Sequence, residues 1–279
     1  MIDHGQAPPG IDASVATAAR MYDYYLGGHD NFAADRIAAL KVIEAAPEVP
    51  LIAKENRKFL GRAVRFLAAE AGIRQFLDLG TGLPTRGNVH QVAQEVDAAC
   101  RVVYADNDPM VLAHSRALKT GPGTAVIQAD MRDPDAILGD SQTQRLIDFS
   151  QPLGILFVAV LHFMAVNDDP HAIVARFLSA AAAGSYLVIS HVTGDTRPQA
   201  ADKAAAVYAS TANPATLRTH GQIRAFFDGT ELLEPGLVPV PLWRPTEPNP
   251  ANPDSVWMLG GVGHKPAHHV IPDVPGGSP

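Results

Sequence analysis

The segment FLDLGTGLPTRGN, residues 76–88, concentrates more chemistry than any other part of the chain. An apolar run reaches Asp78, turns through Gly80, Thr81 and Gly82, and gives way to a polar stretch able to start a helix. In open α/β sheets, ligands sit beyond the carboxyl ends of the strands. Glycines there let backbone come close, and helix N-termini aim free N–H groups at the ligand. The dinucleotide spacing GxGxxG is broken: Thr85 stands at the third glycine position, with Pro84 before it. Asp78 would repel a pyrophosphate and suits a ligand with a cationic amino end. Two more acids end apolar runs. Asp106, in VVYADND, lies 28 residues beyond Asp78 and can accept both hydroxyls of a ribose. Asp130, in VIQADMRDP, can accept from the exocyclic amine of adenine. A single strand-end Asp is ordinarily a cap or turn residue, and Asp108 and Asp133 are read that way. Three at the ends of successive strands point to a nucleoside that carries an amino group.

His162, in FVAVLHFM, and His191, in VISHVTGD, follow the fourth and fifth apolar runs. A neutral imidazole at that edge can take a proton from an oxygen or nitrogen nucleophile, stack on a base, or bond a loop; His162 is the candidate general base. Ahead of these elements lies ARMYDYYLGGHDNFAADR, residues 19–36. It reads either as a helix over 16–26 ending at Gly27 with its aromatics on the core, or as a lid hinged at the glycines that brings tyrosine faces over a ligand. Cys100 is the only cysteine, which excludes an intrachain disulfide and fits a reducing cytoplasm. With no Cys ligand and no His/carboxylate cluster at helical spacing, no metal site is expected; His268 and His269 fall in the tail.

The elements that must position these residues alternate regularly. Helices are expected over 35–46, ended by Pro47 and Pro50, and over 55–71. The second has Phe59, Leu60, Ala63, Val64, Phe66 and Leu67 on one face and Asn56, Arg57, Arg62 and Arg65 on the other. Strands over 73–79, 101–105, 125–129, 153–160 and 185–191 then alternate with helices over 88–98, 109–119 and 170–183, the pattern of a doubly wound α/β sheet. Beyond Val192, helices over 198–210 and 221–228 precede extended runs over 231–242 and 256–263 that would close the sheet as a hairpin. Seven prolines between Pro235 and Pro253 make that stretch an edge. The expected organisation is a flexible 1–14, a helical lid or substrate segment over 15–72, a ligand-binding domain over 73–263 with a helical insert at about 197–228, and a flexible tail over 264–279. With 22 Lys+Arg against 29 Asp+Glu, the net charge of −7 argues against nucleic-acid or anionic-membrane partners. No signal-peptide pattern or bilayer-spanning run is present.

Taken in order, RMYDYYLGGHDNFAADR, FLDLGTGLPTRGNVH, VLAHSRALK, VIQADMRDPDAIL, FVAVLHFM, SYLVISHVT and GLVPVPLWRP resemble a family of S-adenosyl-L-methionine (SAM) dependent methyltransferases of unknown substrate, from about residue 14 to 265. The resemblance implies a Rossmann-like class I methyltransferase sheet of seven strands, the last antiparallel, with an N-terminal helical lid and SAM as cofactor. Asp78, Gly80, Thr81 and Gly82 match the first SAM motif. Asp106 and Asn107 match the ribose-binding acid and its neighbour, and Asp130 and Met131 the adenine-flanking pair. Ala159 and His162 match the position after strand four, while Tyr22, Gly28 and Asn31 belong to the family's N-terminal motif, for which a ligand role is inferred. Pro84 departs from the broader class, where a third glycine is common. The expected activity is in-line methyl transfer to a small-molecule acceptor in the cytoplasm. A non-catalytic SAM-binding regulator stays open, as does a nicotinamide-dependent oxidoreductase, which Asp78 and the broken GxGxxG disfavour.

Overall fold

The computed structural model describes residues 11–85, 87–117, 121–247 and 251–267. The mobile ends expected over 1–14 and 264–279 lie for the most part outside those residues, as do His268 and His269. Five parallel strands form the centre of the sheet: β1 (Gln75–Leu79), β2 (Arg101–Asp106), β3 (Thr124–Gln128), β4 (Gly154–Val158) and β5 (Tyr186–Val192). Two short strands follow, β6 (Glu231–Leu232) and β7 (Val238–Pro239), and then β8 (Met258–His264). The order is β3-β2-β1-β4-β5-β8-β6, with β7 also on β8. β8 runs antiparallel to β5, and β6 and β7 run antiparallel to β8. These two short pieces occupy one strand position. The extended run expected over 231–242 is therefore broken, and it ends in a 3₁₀ turn over Val240–Leu242. Its prolines cannot donate to a ladder, which confines it to the edge. The order reverses between β1 and β4, which places a crevice beyond their carboxyl ends.

Every residue of β1 is buried, because both faces of the sheet are covered. The period of two divides the core. Phe76, Val102, Val188 and Val262 pack with Phe59, Val64 and Leu67 on one side. Leu77, Val103, Ile155, Leu187 and Ile189 pack with Ile173, Phe177, Phe226 and Phe227 on the other.

The helices α1 (Ala18–Tyr25), α2 (Ala33–Ala45) and α3 (Val49–Ala69) precede the sheet. α3 begins six residues before the expected start at 55, because Pro50 sits in its first turn, where a missing N–H costs nothing. Part of its polar face is covered as well, although Arg65 stays exposed. Asn56 is 1% exposed, and Arg62 donates to the carbonyls of Trp243 (2.9 Å) and Val240 (2.6 Å). α3 is thus packed against the sheet and also against the 3₁₀ turn that follows β7. α4 (Val89–Val96), α5 (Pro109–Ala117) and α8 (Pro170–Ala180) are the expected crossovers. The short α6 (Pro134–Gly139) and α7 (Ser141–Leu146), which periodicity does not reveal, complete the link from β3 to β4. α9 (Pro198–Tyr208) packs on α2, and α10 (His220–Ala225) precedes β6. No helix among the described residues is long and apolar enough to cross a membrane.

Candidate active site

β1 and β2 deliver Asp78 and Asp106 to the crevice, and the turn after β3 delivers Asp130. Asp78 is buried, and its Oδ2 accepts from the Thr81 hydroxyl at 3.2 Å. Burial pushes its carboxyl up to about 7, with Arg57 and Thr81 opposing and Asp106 adding to the rise. Asp106 accepts the Gly82 N–H on Oδ2 (2.8 Å) and the Asp108 N–H on Oδ1 (2.9 Å). Burial lifts it to about 6 in spite of those bonds. Asp130 behaves differently: burial would raise it, but the bonds from Arg132 (3.0 Å) and Asn107 (3.3 Å) hold it below the usual carboxylate range. Asp108 and Asp133 do cap, accepting from Met110 N–H at 2.9 Å and Ala136 N–H at 3.1 Å.

Both glycines of the turn have positive φ, +68° at Gly80 and +66° at Gly82, but they serve different ends. A Cβ on Gly80 would lie 2.2 Å from Val160 Cγ2 and 2.8 Å from Met131 Cε, so this glycine admits protein side chains. A Cβ on Gly82 would meet nothing within 4 Å, so that turn faces open space. Past it, Leu83 turns inward against Met110 and Val111, and the Thr85 N–H reaches Asn88 Oδ1 at 3.1 Å. That is the path taken where Pro84 replaces a third glycine.

After β4 the chain leaves the sheet through Ala159, a non-glycine residue at φ +57°. Such strain persists only where the surroundings impose it. Here the Ala159 N–H is shared by the Ser190 carbonyl (3.1 Å) and hydroxyl (2.9 Å). The Ser190 hydroxyl donates to Asn56 Oδ1 (2.6 Å), Asn56 Nδ2 donates to the Tyr22 hydroxyl (2.9 Å), and Tyr22 donates to the Ala53 carbonyl (3.0 Å). This chain fixes α1 to the tips of β4 and β5.

His162 occupies the 3₁₀ turn Leu161–Phe163 that follows. It is 5% exposed, and its Nδ1 is buried without a hydrogen-bond partner. Burial, then His191 and Arg218, hold it well below the ordinary histidine value, so the imidazole is neutral. His191 is a structural residue. Its Nδ1–H donates to the Val192 carbonyl (2.6 Å) and its Nε2 accepts from Arg218 (3.0 Å), and burial takes it down to about 3. Arg218 also donates to the Leu161 and Met164 carbonyls, each at 2.9 Å, clamping the turn that carries His162.

These groups surround one cavity of about 430 Å³, within the range of small-molecule sites. Tyr22, Asp78, Gly80, Thr81, Gly82 and Asp106 line it, together with Asn107, Asp130, Met131, Ala159 and His162. Gly28 and Asn31 stand behind the wall. The Asp30 N–H (2.9 Å) and Asn31 Nδ2 (2.8 Å) donate to Asp23 Oδ2, and a Cβ on Gly28 would fall 2.0 Å from Asp23 Oδ1. Asp23 itself lines the cavity. The wall also contains Asn56, Arg57, Phe163 and Tyr208, which periodicity places only on helices or turns. The continuous polar run KENRK over 54–58, which departs from the helix's apolar period, was the available signal.

Can these residues hold an adenosyl ligand with a cationic end? An ionised carboxylate has about four acceptor sites; the Gly82 and Asp108 N–H groups each bond one oxygen of Asp106, with the Asn107 N–H alongside, which leaves acceptor capacity toward the cavity. Asp78, raised by burial, gains from any cation placed beside it. The sheet order with its antiparallel strand, and the acids at the ends of the first three strands, define a class I methyltransferase with SAM as cofactor.

Comparison with known proteins agrees, and the chain belongs to the S-adenosyl methyltransferase family, whose model matches residues 4–266. Similar solved structures include a candidate methyltransferase from Thermobifida fusca, with 45% identity, a TM-score of 0.89, and coverage of 94% of this chain and 100% of that one. A DUF574 family protein from Streptomyces avermitilis has 41% identity, a TM-score of 0.88, and coverage of 91% and 99%. An O-methyltransferase family protein from Burkholderia thailandensis, at 13% identity and TM-score 0.52 over 79% of this chain and 59% of that one, shares the fold. The chain matches no curated protein.

Proposed function

We propose that this cavity is the reaction chamber of a cytoplasmic methyltransferase that moves a methyl group from SAM to a small-molecule acceptor by in-line displacement. The observation that carries the reading is that one cavity joins the raised carboxyls of Asp78 and Asp106 to the neutral His162, whose buried Nδ1 has no hydrogen-bond partner, and to an apolar chamber beyond it. Bound SAM supplies a methyl group made electrophilic by its sulfonium. Asp78 holds the amino end, Asp106 with Asn107 the ribose, and Asp130 with Met131 flanks the adenine, while the open turn at Gly82 gives the ligand room. With SAM bound, its methyl carbon would be the electrophile for the acceptor's lone pair, and S-adenosylhomocysteine would be the leaving group. A proton released by the acceptor would pass to the His162 imidazole. Most of the rate comes from alignment, since the walls fix donor and acceptor in one enclosed space; His162 contributes where the acceptor must lose a proton.

Titration calorimetry with SAM, S-adenosylhomocysteine and NADH tests the cofactor assignment. Micromolar binding of the first two with no heat from NADH is the expected result, and NADH binding in their place would sink it. Transfer of labelled methyl from SAM to members of an acceptor panel then tests catalysis.

A further inference from the structure

The cavity is chemically divided. Its charged lining comes from the strand tips and from Asp23 and Arg57, whereas the lining that α9 shares with its neighbours is Tyr25, Ile52, Ala201, Ala204, Tyr208 and Trp257, with no charged side chain among them. Ala201, Ala204 and Tyr208 recur at helical spacing on α9, so small residues create the space and a tyrosine closes it. Tyr25, Ile52, Ala201, Ala204 and Trp257 are all buried, which makes this half an enclosed chamber. Its polar features are few. The Tyr25 and Tyr208 hydroxyls lie 3.2 Å apart and share one hydrogen bond, in either direction. Each hydroxyl has one hydrogen, so whichever accepts keeps its own O–H free to donate. Phe163 joins this chamber to the reacting end, its ring 5.4 Å from Tyr208 and 4.4 Å from His162, whose buried Nδ1 lacks a partner.

We infer that this chamber is the acceptor subsite and that it takes an uncharged, hydroxyl-bearing aromatic molecule. The inference rests on the methyltransferase reading of the adjoining half. Aromatic walls favour a planar apolar body, and the spare tyrosine O–H offers one hydrogen bond. A charged substituent would meet no counter-ion among the chamber's described residues and would bear the full cost of desolvation.

The test is calorimetry on the full chain, in two stages. S-adenosylhomocysteine is titrated first, and then naphthol and its carboxylated counterpart hydroxynaphthoate are titrated into the loaded protein. Naphthol is expected to bind at least about a hundredfold more tightly than hydroxynaphthoate. Ala204→Phe, which fills the chamber, should abolish naphthol binding, with the S-adenosylhomocysteine titration as its fold control. Tyr208→Phe keeps the ring and should weaken naphthol about fivefold, the worth of one neutral hydrogen bond. Absence of S-adenosylhomocysteine binding to the wild-type protein would overturn the cofactor reading and this inference with it. Normal S-adenosylhomocysteine binding with no naphthol binding, with equal affinity for the charged probe, or with naphthol affinity untouched in both variants would overturn the acceptor subsite alone.

Discussion

Asp106 accepts backbone N–H groups on both oxygens and still has acceptor capacity facing the cavity. If that capacity is used by two ribose hydroxyls, Asp106→Ala removes two charge-assisted bonds, about 1.5 kcal/mol or more each, and weakens SAM roughly a hundredfold or more. Titration calorimetry reads this directly, and an affinity within twofold of wild type would contradict the ribose assignment. Asp78 makes a different prediction, because its carboxyl is raised to about 7. The ionised form attracts an ammonium group and the protonated form does not. Affinity for SAM should therefore climb as pH rises toward about 7 and fall again only where the ligand's own ammonium loses its proton, at about pH 8 or above. Asp78→Asn should bind more weakly and lose that slope; a wild-type protein that binds better in acid would contradict the role. Both acids were legible because each ends an apolar run next to glycine or turn residues. Asn56, Arg57 and Tyr208 were not, since a helix period says which residues are apolar but not which polar neighbour reaches a cavity.

At the scale of elements, the same limit appears at α3. Its apolar stripe was visible, but spacing does not say which of its polar residues are buried: Asn56 is and Arg65 is not. A helix packed on two sides reads as amphipathic when the second interface is polar. The first turn was misplaced for a related reason: Pro50 can end one helix or begin the next, and only the packing of Ile52 and Ala53 decides. The central strands were readable from their continuous apolar runs, whereas the last edge was interrupted by prolines whose pairing depends on β8. The N-terminal segment holds a further dependence between elements that spacing does not disclose. Arg20 on α1 pairs with Asp35 on α2 at 2.8 Å, with side chains 2% and 0% exposed. Asp35 also accepts the N–H groups of Thr17 (3.0 Å) and Phe32 (2.8 Å), and Arg20 donates to the Val15 carbonyl. Removing one partner strands a buried charge, so Asp35→Ala should cost about 3–5 kcal/mol. Chemical denaturation measures it. The double replacement Arg20→Met with Asp35→Leu should recover much of the loss, and equal losses in the two variants would show that packing, not charge, sets the cost.

For the whole molecule, a net charge of −7 is a sum that conceals where the acids converge. Folding carries Asp78 and Asp106 from water to a single buried sheet edge, and both carboxyls rise, to about 7 and about 6. A carboxyl whose folded value exceeds its unfolded one contributes stability that is complete below about pH 4 and is lost as pH climbs through the folded value. The buried histidines act in the opposite sense. His191, at about 3, and His162, well below its ordinary value, contribute stability that is present above about pH 6.5 and is lost as pH falls toward their folded values. The two effects offset each other between about pH 4 and 6.5, so the wild-type profile alone cannot separate them. A difference profile can. Asp78→Asn removes the carboxylate while leaving both histidines, so its thermal midpoint should match wild type near pH 4 and exceed it progressively up to about pH 8. A rise of roughly three pH units in one buried group corresponds to a few kcal/mol at most, or several degrees in Tm for a chain of this size. The same variant should gain less Tm from S-adenosylhomocysteine at pH 8 than the wild-type protein does, because the ligand's ammonium compensates the buried charge only where that charge exists. The acid would then be retained for binding at the expense of the ligand-free fold, a trade familiar at functional sites. Scanning calorimetry of both proteins across that range, with and without S-adenosylhomocysteine, checks both halves at once. A variant less stable than wild type at pH 8 would mean that Asp78 stabilises the empty fold, and its raised carboxyl would then need another origin than an unmet cation.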